Sequence, residues 1–179
     1  MQQDNSAKKK KKTQEQIWTE KLNSKDSDTV KETIKEIRDF GNIKIIPQLV
    51  ENFSKQKDPE LKKELSKLLS DIKHKEAAGI LFDYVLNPDY QHIKKDLLSI
   101  LWQSRLGFSP FVPQLVDIFI NEPLDLAFEA FTVLEYIDKP IDSQIAQQNI
   151  DKLKDSLRTI DEHKKYLVID LVNLLKKWT

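Results

Sequence analysis

The chain has 179 residues, with 29 Lys and Arg against 29 Asp and Glu, three His, three Gly, seven Pro and no Cys. That length suits one domain or one stack of repeats, and the missing Cys removes disulfides, thiolate nucleophiles, zinc–thiolate sites and iron–sulfur clusters together. Three Gly supply no Gly-rich phosphate loop, and zero net charge gives no global attraction to nucleic acid or anionic membrane.

Lys8 to Lys12 form an unbroken run followed by Thr13, Gln14, Glu15 and Gln16. With no apolar segment behind it, the run does not read as a secretory signal. Residues 1–26 hold seven Lys against four acids and are expected to be a basic, largely disordered tail with a short possible helix at 14–22. In that segment Ile17, Trp18 and Leu22 either cap the exposed end of a helical stack or form a linear motif for another protein.

From Ser27 the apolar residues recur at helical spacing, punctuated by Pro, Gly and Asp. Val30, Ile34, Ile37 and Phe40 form a first stripe that Gly41 ends, and Ile45, Ile46, Leu49, Val50 and Phe53 form a second. Asp58-Pro59 reads as the N-cap and first position of a third helix, with Leu61, Leu65, Leu68, Leu69 and Ile72 facing inward. A fourth helix runs from about Lys75 to Leu86. Asp89 is expected to cap a fifth, whose inner face is Ile93, Leu97, Ile100, Leu101 and Ser104 and which ends near Gly107. Ser109-Pro110 opens a sixth, and Glu122-Pro123 a seventh that reaches about Asp138. Asp142 or Ser143 caps an eighth, ending near Thr159, and Asp161 a ninth that reaches Trp178. Residues 142–179 thus read as a C-terminal cap. No segment alternates with period two, so the fold class is all-α. The longest apolar stretch, Tyr166 to Leu175, is broken by Asp170 and Asn173 and is too short to span a bilayer. The protein is expected to be soluble and cytoplasmic, with no membrane partner.

The helices repeat. Ile46-Pro47-Gln48-Leu49-Val50-Glu51 matches Val112-Pro113-Gln114-Leu115-Val116-Asp117 at an offset of 66 residues, and a weaker copy, Ala78-Gly79-Ile80-Leu81-Phe82-Asp83, lies between them. The following helices agree: Leu65, Leu97 and Phe131 are spaced by 32 and 34, as are Leu68, Ile100 and Leu134. A helix–turn–helix unit of this length is an α-solenoid period, in which neighbouring units complete one another's core. With Pro47 and Pro113 early in the first helices, the apolar pair after each, and the Asp58-Pro59 and Glu122-Pro123 starts of the second helices, residues 27–179 resemble HEAT/armadillo-type repeats. The resemblance implies a right-handed superhelical stack of about four units. It also implies that the second helices line a concave binding surface.

Little in the chain points to catalysis. His74, His92 and His163 lie too far apart for helical metal-ligand spacing, the serines sit mainly at helix starts and turns, and Asp125 and Glu129 read as a solvated acidic face. No cofactor or metal is expected. The sharper signal is aromatic. On a wheel centred on Leu97, Trp102 falls about 140° away, on the face shared with Gln91 and Lys95. The equivalent positions in the neighbouring units are Ser70 and Tyr136, flanked by Lys63 and Glu129. Ser70, Gln91, Lys95, Trp102, Glu129 and Tyr136 are therefore the candidate protein-binding groove, since Trp and Tyr dominate binding hot spots; the competing reading puts Trp102 in a wide buried arc. The expected function is a non-catalytic scaffold that holds a protein partner. The alternative is nucleic-acid binding through the lysine tail and inner-helix lysines. It is disfavoured by the presence of only three Arg and by residues 117–142, which carry seven acids against Lys139 alone.

Overall fold

The computed structural model describes residues 12–179; the lysine run falls largely outside the described residues. Among the described residues there is no strand, and ten α-helices pack against one another: α1 (Gln14–Leu22), α2 (Ser27–Phe40), α3 (Ile46–Lys55), α4 (Pro59–Ser70), α5 (Ala77–Leu86), α6 (Lys94–Ser104), α7 (Val112–Asn121), α8 (Leu124–Glu135), α9 (Ser143–Ser156) and α10 (Lys165–Leu175). The ninefold series read from the sequence corresponds to α2 through α10. No helix is long and apolar enough to cross a membrane.

Capping residues set most of the boundaries. Asp58 Oδ1 accepts from the backbone N–H of Glu60 and Leu61, and Asp142 Oδ1 from those of Gln144 and Ile145, so each satisfies two of the orphan donors of a helix start. Three expectations need correction. The fifth predicted helix opens as a 3-10 turn (Pro88–Ile93) capped by Asn87, whose Oδ1 accepts from the N–H of Asp89; Asp89 is the residue being capped. Ser109-Pro110 likewise begins a 3-10 turn (Ser109–Phe111), after which α7 starts. At the seventh, Pro123 is itself the N-cap and Glu122 makes no capping bond.

Within the sequence pairs, α3 packs on α4, α5 on α6, α7 on α8 and α9 on α10. Between pairs, α2, α4, α6 and α8 form a row in which each touches the next, while α3 touches α5 and α7 touches α9. One apolar core runs unbroken from Trp18 to Leu175, because each amphipathic helix finds its buried face covered by a preceding and a following neighbour. Phe40 is the exception among the first stripe and is 77% exposed. It lies about 80° from Val30 on the helical wheel, at the edge of the buried arc.

Helical structure is already present before residue 27. The helix α1 packs on α2 with Trp18 and Leu22 buried. The Trp18 Nε1–H donates to Glu36 Oε2 at 3.0 Å, and Lys21 Nζ reaches Glu36 Oε1 at 3.1 Å. Those two bonds, that from Lys21 foremost, hold the Glu36 carboxyl below the usual range.

At the other end of the row, two buried lysines converge on the corner between α7 and α8. Lys164, 3% exposed, donates to the carbonyls of Phe119, Ile120 and Glu122 at 3.0, 2.7 and 3.0 Å. Lys94, also buried, pairs with the Glu122 carboxylate. Between them, a ladder of ion pairs crosses the row: Lys31 of α2 to Glu60 of α4 at 2.7 Å, Lys62 of α4 to Asp96 of α6 at 2.8 Å, and Lys95 of α6 to Asp125 of α8 at 3.4 Å. Every acid in it stands in the first turn of its helix, where the helix dipole favours negative charge.

Two consequences for stability follow. A Cβ at Gly41 would meet Ile37 O at 2.4 Å and Ile37 Cγ2 at 2.8 Å, whereas a Cβ at Gly79, inside α5, meets nothing nearer than Phe111 Cζ at 4.0 Å. Gly41→Ala should lower the unfolding free energy by about 2 kcal/mol, and Gly79→Ala should raise it by about 0.5–1 kcal/mol, both read from urea midpoints. The second concerns Glu36. Its folded-state pKa is depressed, so its stabilisation is complete above the unfolded-chain value of about 4.5 and is lost as pH falls through the folded value. The thermal midpoint of the wild type should therefore fall more steeply with acidification below pH 4.5 than that of Glu36→Gln.

Candidate functional site

Helices α4, α6 and α8 lie side by side and line an open groove of about 530 Å³. The α4 side contributes Lys63, Ser66, Lys67 and Ser70; α6 and its C-cap contribute Trp102, Gln103 and Arg105; Tyr136, the C-cap of α8, closes the far end.

Trp102 and Tyr136 stack with ring centroids 5.8 Å apart and planes inclined by 21°. The indole Nε1–H of Trp102 donates to Glu129 Oε2 at 2.9 Å, which fixes the ring across the α6–α8 seam. Trp102 is half-buried and packs on the core, while Tyr136 is 51% exposed. The two readings of the aromatic row thus divide between its members: Trp102 is anchored, and Tyr136 offers its ring at the surface. Ser70 is buried, and its hydroxyl is occupied in donating to Ser66 O at 3.0 Å. Lys95 stands on the same row but is engaged with Asp125 in the ladder.

Gln91 is not brought to this site. It sits in the 3-10 turn before α6, whose neighbours turn towards α3: the Tyr90 hydroxyl donates to Glu51 Oε2 at 2.7 Å, and His92 Nε2 lies 3.4 Å from Ser54 O. The bond to Glu51 and burial push the Tyr90 phenol up to about 12. Treating residues 89–104 as one continuous helix put Gln91 and Trp102 on one face; the break at Ile93 removes that register. Phe128 of α8 is 54% exposed, whereas Leu126 and Val133 of the same helix are buried.

The structure adds basic residues that the sequence did not single out. Lys67 and Arg105 are exposed on the groove, and Lys73 beside them donates to Ser104 O at 3.2 Å. Among the described residues, Lys63, Lys67 and Arg105 take no part in an ion pair, unlike Lys31, Lys62 and Lys95 in the ladder. Arg105 has φ 55°, the left-handed conformation, and is the only non-Gly described residue with positive φ. The helix ends at Ser104, so Arg105 takes the turning position that a helix-ending Gly or Asn usually fills; the nearby Gly107 drew the expected end of the helix too far along. Among the described residues, no three His, Asp or Glu side chains gather as metal ligands.

No protein-family model matches the chain, and no curated protein matches it. Among solved structures, the crystal structure of an engineered protein is similar over 90% of this chain and 78% of its own, at 17% identity and a TM-score of 0.46. That likeness is too slight to carry a fold or a function.

The two aromatic residues should separate experimentally. Trp102→Ala removes an anchored, half-buried ring and should cost about 3 kcal/mol in urea unfolding, whereas Tyr136→Ala should cost about 1 kcal/mol, the scale of a stacked surface pair.

Proposed function

We propose that the chain is a HEAT-like α-solenoid of about four units, a right-handed stack acting in the cytoplasm as a non-catalytic scaffold. Its partner is a protein, held in the groove across α4, α6 and α8. The unit spacing of 32 to 34 residues, the row of even-numbered helices and the pairing of each with the helix before it support the architecture. The observation that carries the function is the half-exposed Tyr136 stacked on an anchored Trp102. A rigid aromatic pair beside a groove has the amphipathic, low-entropy character of a binding hot spot.

The basic groove also favours a second reading, nucleic-acid binding, because Lys63, Lys67, Lys73 and Arg105 face Asp71 as the groove's lone acid. It is the weaker of the two. The α8 side presents Asp125, Glu129 and Glu135 with no basic residue between Leu124 and Tyr136, so a phosphate chain leaving the groove across α8 meets like charge.

Affinity capture from the native cell, comparing the wild type with Tyr136→Ala, tests the proposal. The expected result is a specific protein retained by the wild type and lost with the variant, at an unchanged circular-dichroism spectrum. Salt-dependent retardation of DNA or RNA by a chain lacking residues 1–11, which keeps α1 in place, with no protein lost on Tyr136→Ala, would instead favour the nucleic-acid reading.

A further inference from the structure

We infer that the groove takes an acidic protein segment, whose carboxylates pair with Lys63, Lys67 and Arg105 while an apolar side chain packs on Tyr136. This deepens the proposed scaffold role and rests on it.

Charge is the first argument. Along the ladder each lysine has its own acid, so the surface near the start of α4, α6 and α8 is internally neutralised. In the groove, Lys63 in the first half of α4, Lys67 in its last turn and Arg105 at the C-cap of α6 have no ion-pair partner among the described residues, and Asp71 is the lone acid of the lining. Unpaired cations are tolerated at helix C-termini because the dipole there is negative, and that accounts for Lys67. It favours Arg105, at the C-cap of α6, in the same way, but says nothing of the backbone conformation that Arg105 adopts. A left-handed C-cap is easiest for Gly or Asn, and a long cationic side chain at φ 55° holds a less populated backbone conformation. Such a residue puts a guanidinium on the lining of the groove that Trp102 also lines, where a bidentate hydrogen bond to carboxylate becomes available.

Geometry is the second. The cations lie on the α4 and α6 side and Tyr136 on the α8 side of one groove, an arrangement that suits a segment with carboxylates on one side and an apolar residue on the other. The acids of α8 confine the ligand. A segment with a few carboxylates fits within the basic part, whereas a nucleic acid carries charge along its whole length.

Fluorescence anisotropy of the full chain with three probes tests this: a short fluorescein-labelled peptide of glutamates interspersed with phenylalanines, the same peptide with lysines in place of the glutamates, and single-stranded oligothymidine. The glutamate peptide should bind, and should weaken as salt is raised. It should bind roughly tenfold or more weakly to Arg105→Gly and to Lys67→Glu. Arg105→Gly should unfold at the wild-type temperature or above, since glycine accepts that backbone conformation freely, so its loss of binding would not be a loss of fold. Absence of glutamate-peptide binding, indifference to both substitutions, equal binding of the lysine peptide, or tighter binding of oligothymidine overturns the inference. A partner that is lost on Tyr136→Ala but unaffected by Arg105→Gly and Lys67→Glu would remove the acidic ligand and leave the scaffold role standing.

Discussion

The arrangement of the second half of the molecule depends on how the corner between α7 and α8 is held. The last carbonyls of α7 have no partner within their own helix, and in a buried position each would be costly to leave unmatched. Lys164 satisfies three carbonyls there with one ammonium, and the negative end of the α7 dipole favours that charge. Burial pushes the Lys164 amine down from its ordinary value, against the opposing pull of Asp161 and Glu122. Lys94 approaches the same corner from α6 and pairs with the Glu122 side chain. Three parts of the chain, the start of α6, the α7–α8 corner and the start of α10, are thereby tied at one point. The tie sets how α8 lies on α6, and so whether Tyr136 reaches Trp102.

What could be read from the residues was mainly local. Asp58 and Asp142 cap helices because an acceptor two residues before a free backbone donor needs no tertiary help, and the apolar period of each helix names its buried face. The 32- and 34-residue offsets agree with the order of packing, in which α4 touches α6 and α6 touches α8. Failure came where packing decides. The lysine run, Lys94 and Lys164 look alike in composition, yet Lys94 and Lys164 are buried and partnered because of where α7 ends. Asn87 displaces Asp89 as a cap because Pro88 starts a tight 3-10 turn ahead of the α-helix. The aromatic pair was visible as a spacing, whereas the basic rim was not, because nothing local distinguishes Lys67 from a solvated lysine.

The same separation of local from tertiary effects explains how charge is organised. A net charge of zero conceals a division along the even-numbered helices. The first turns of α4, α6 and α8 hold acids that each pair with a lysine of the preceding helix in the row, while Lys67 in the last turn of α4 and Arg105 at the C-cap of α6 have no such pair. Exposed pairs of the ladder type contribute little each, about 0.5 kcal/mol. Their larger effect is on register, because a slip of one turn would carry a lysine about 5.4 Å along the axis and away from its acid.

The three tryptophans divide the molecule in a useful way. Trp18 lies in the first described helix, Trp102 in the middle of the row, and Trp178 in the final 3-10 turn. Helices at the ends of the packing order have fewer neighbours than those between them, and such elements open at lower free energy. The chain therefore carries an intrinsic emitter at each terminus and one at its centre, so fraying at either end and collapse of the middle would each alter a different indole. A pair of Trp→Phe substitutions would leave a single emitter, and the molecule would report the order in which its own layers come apart.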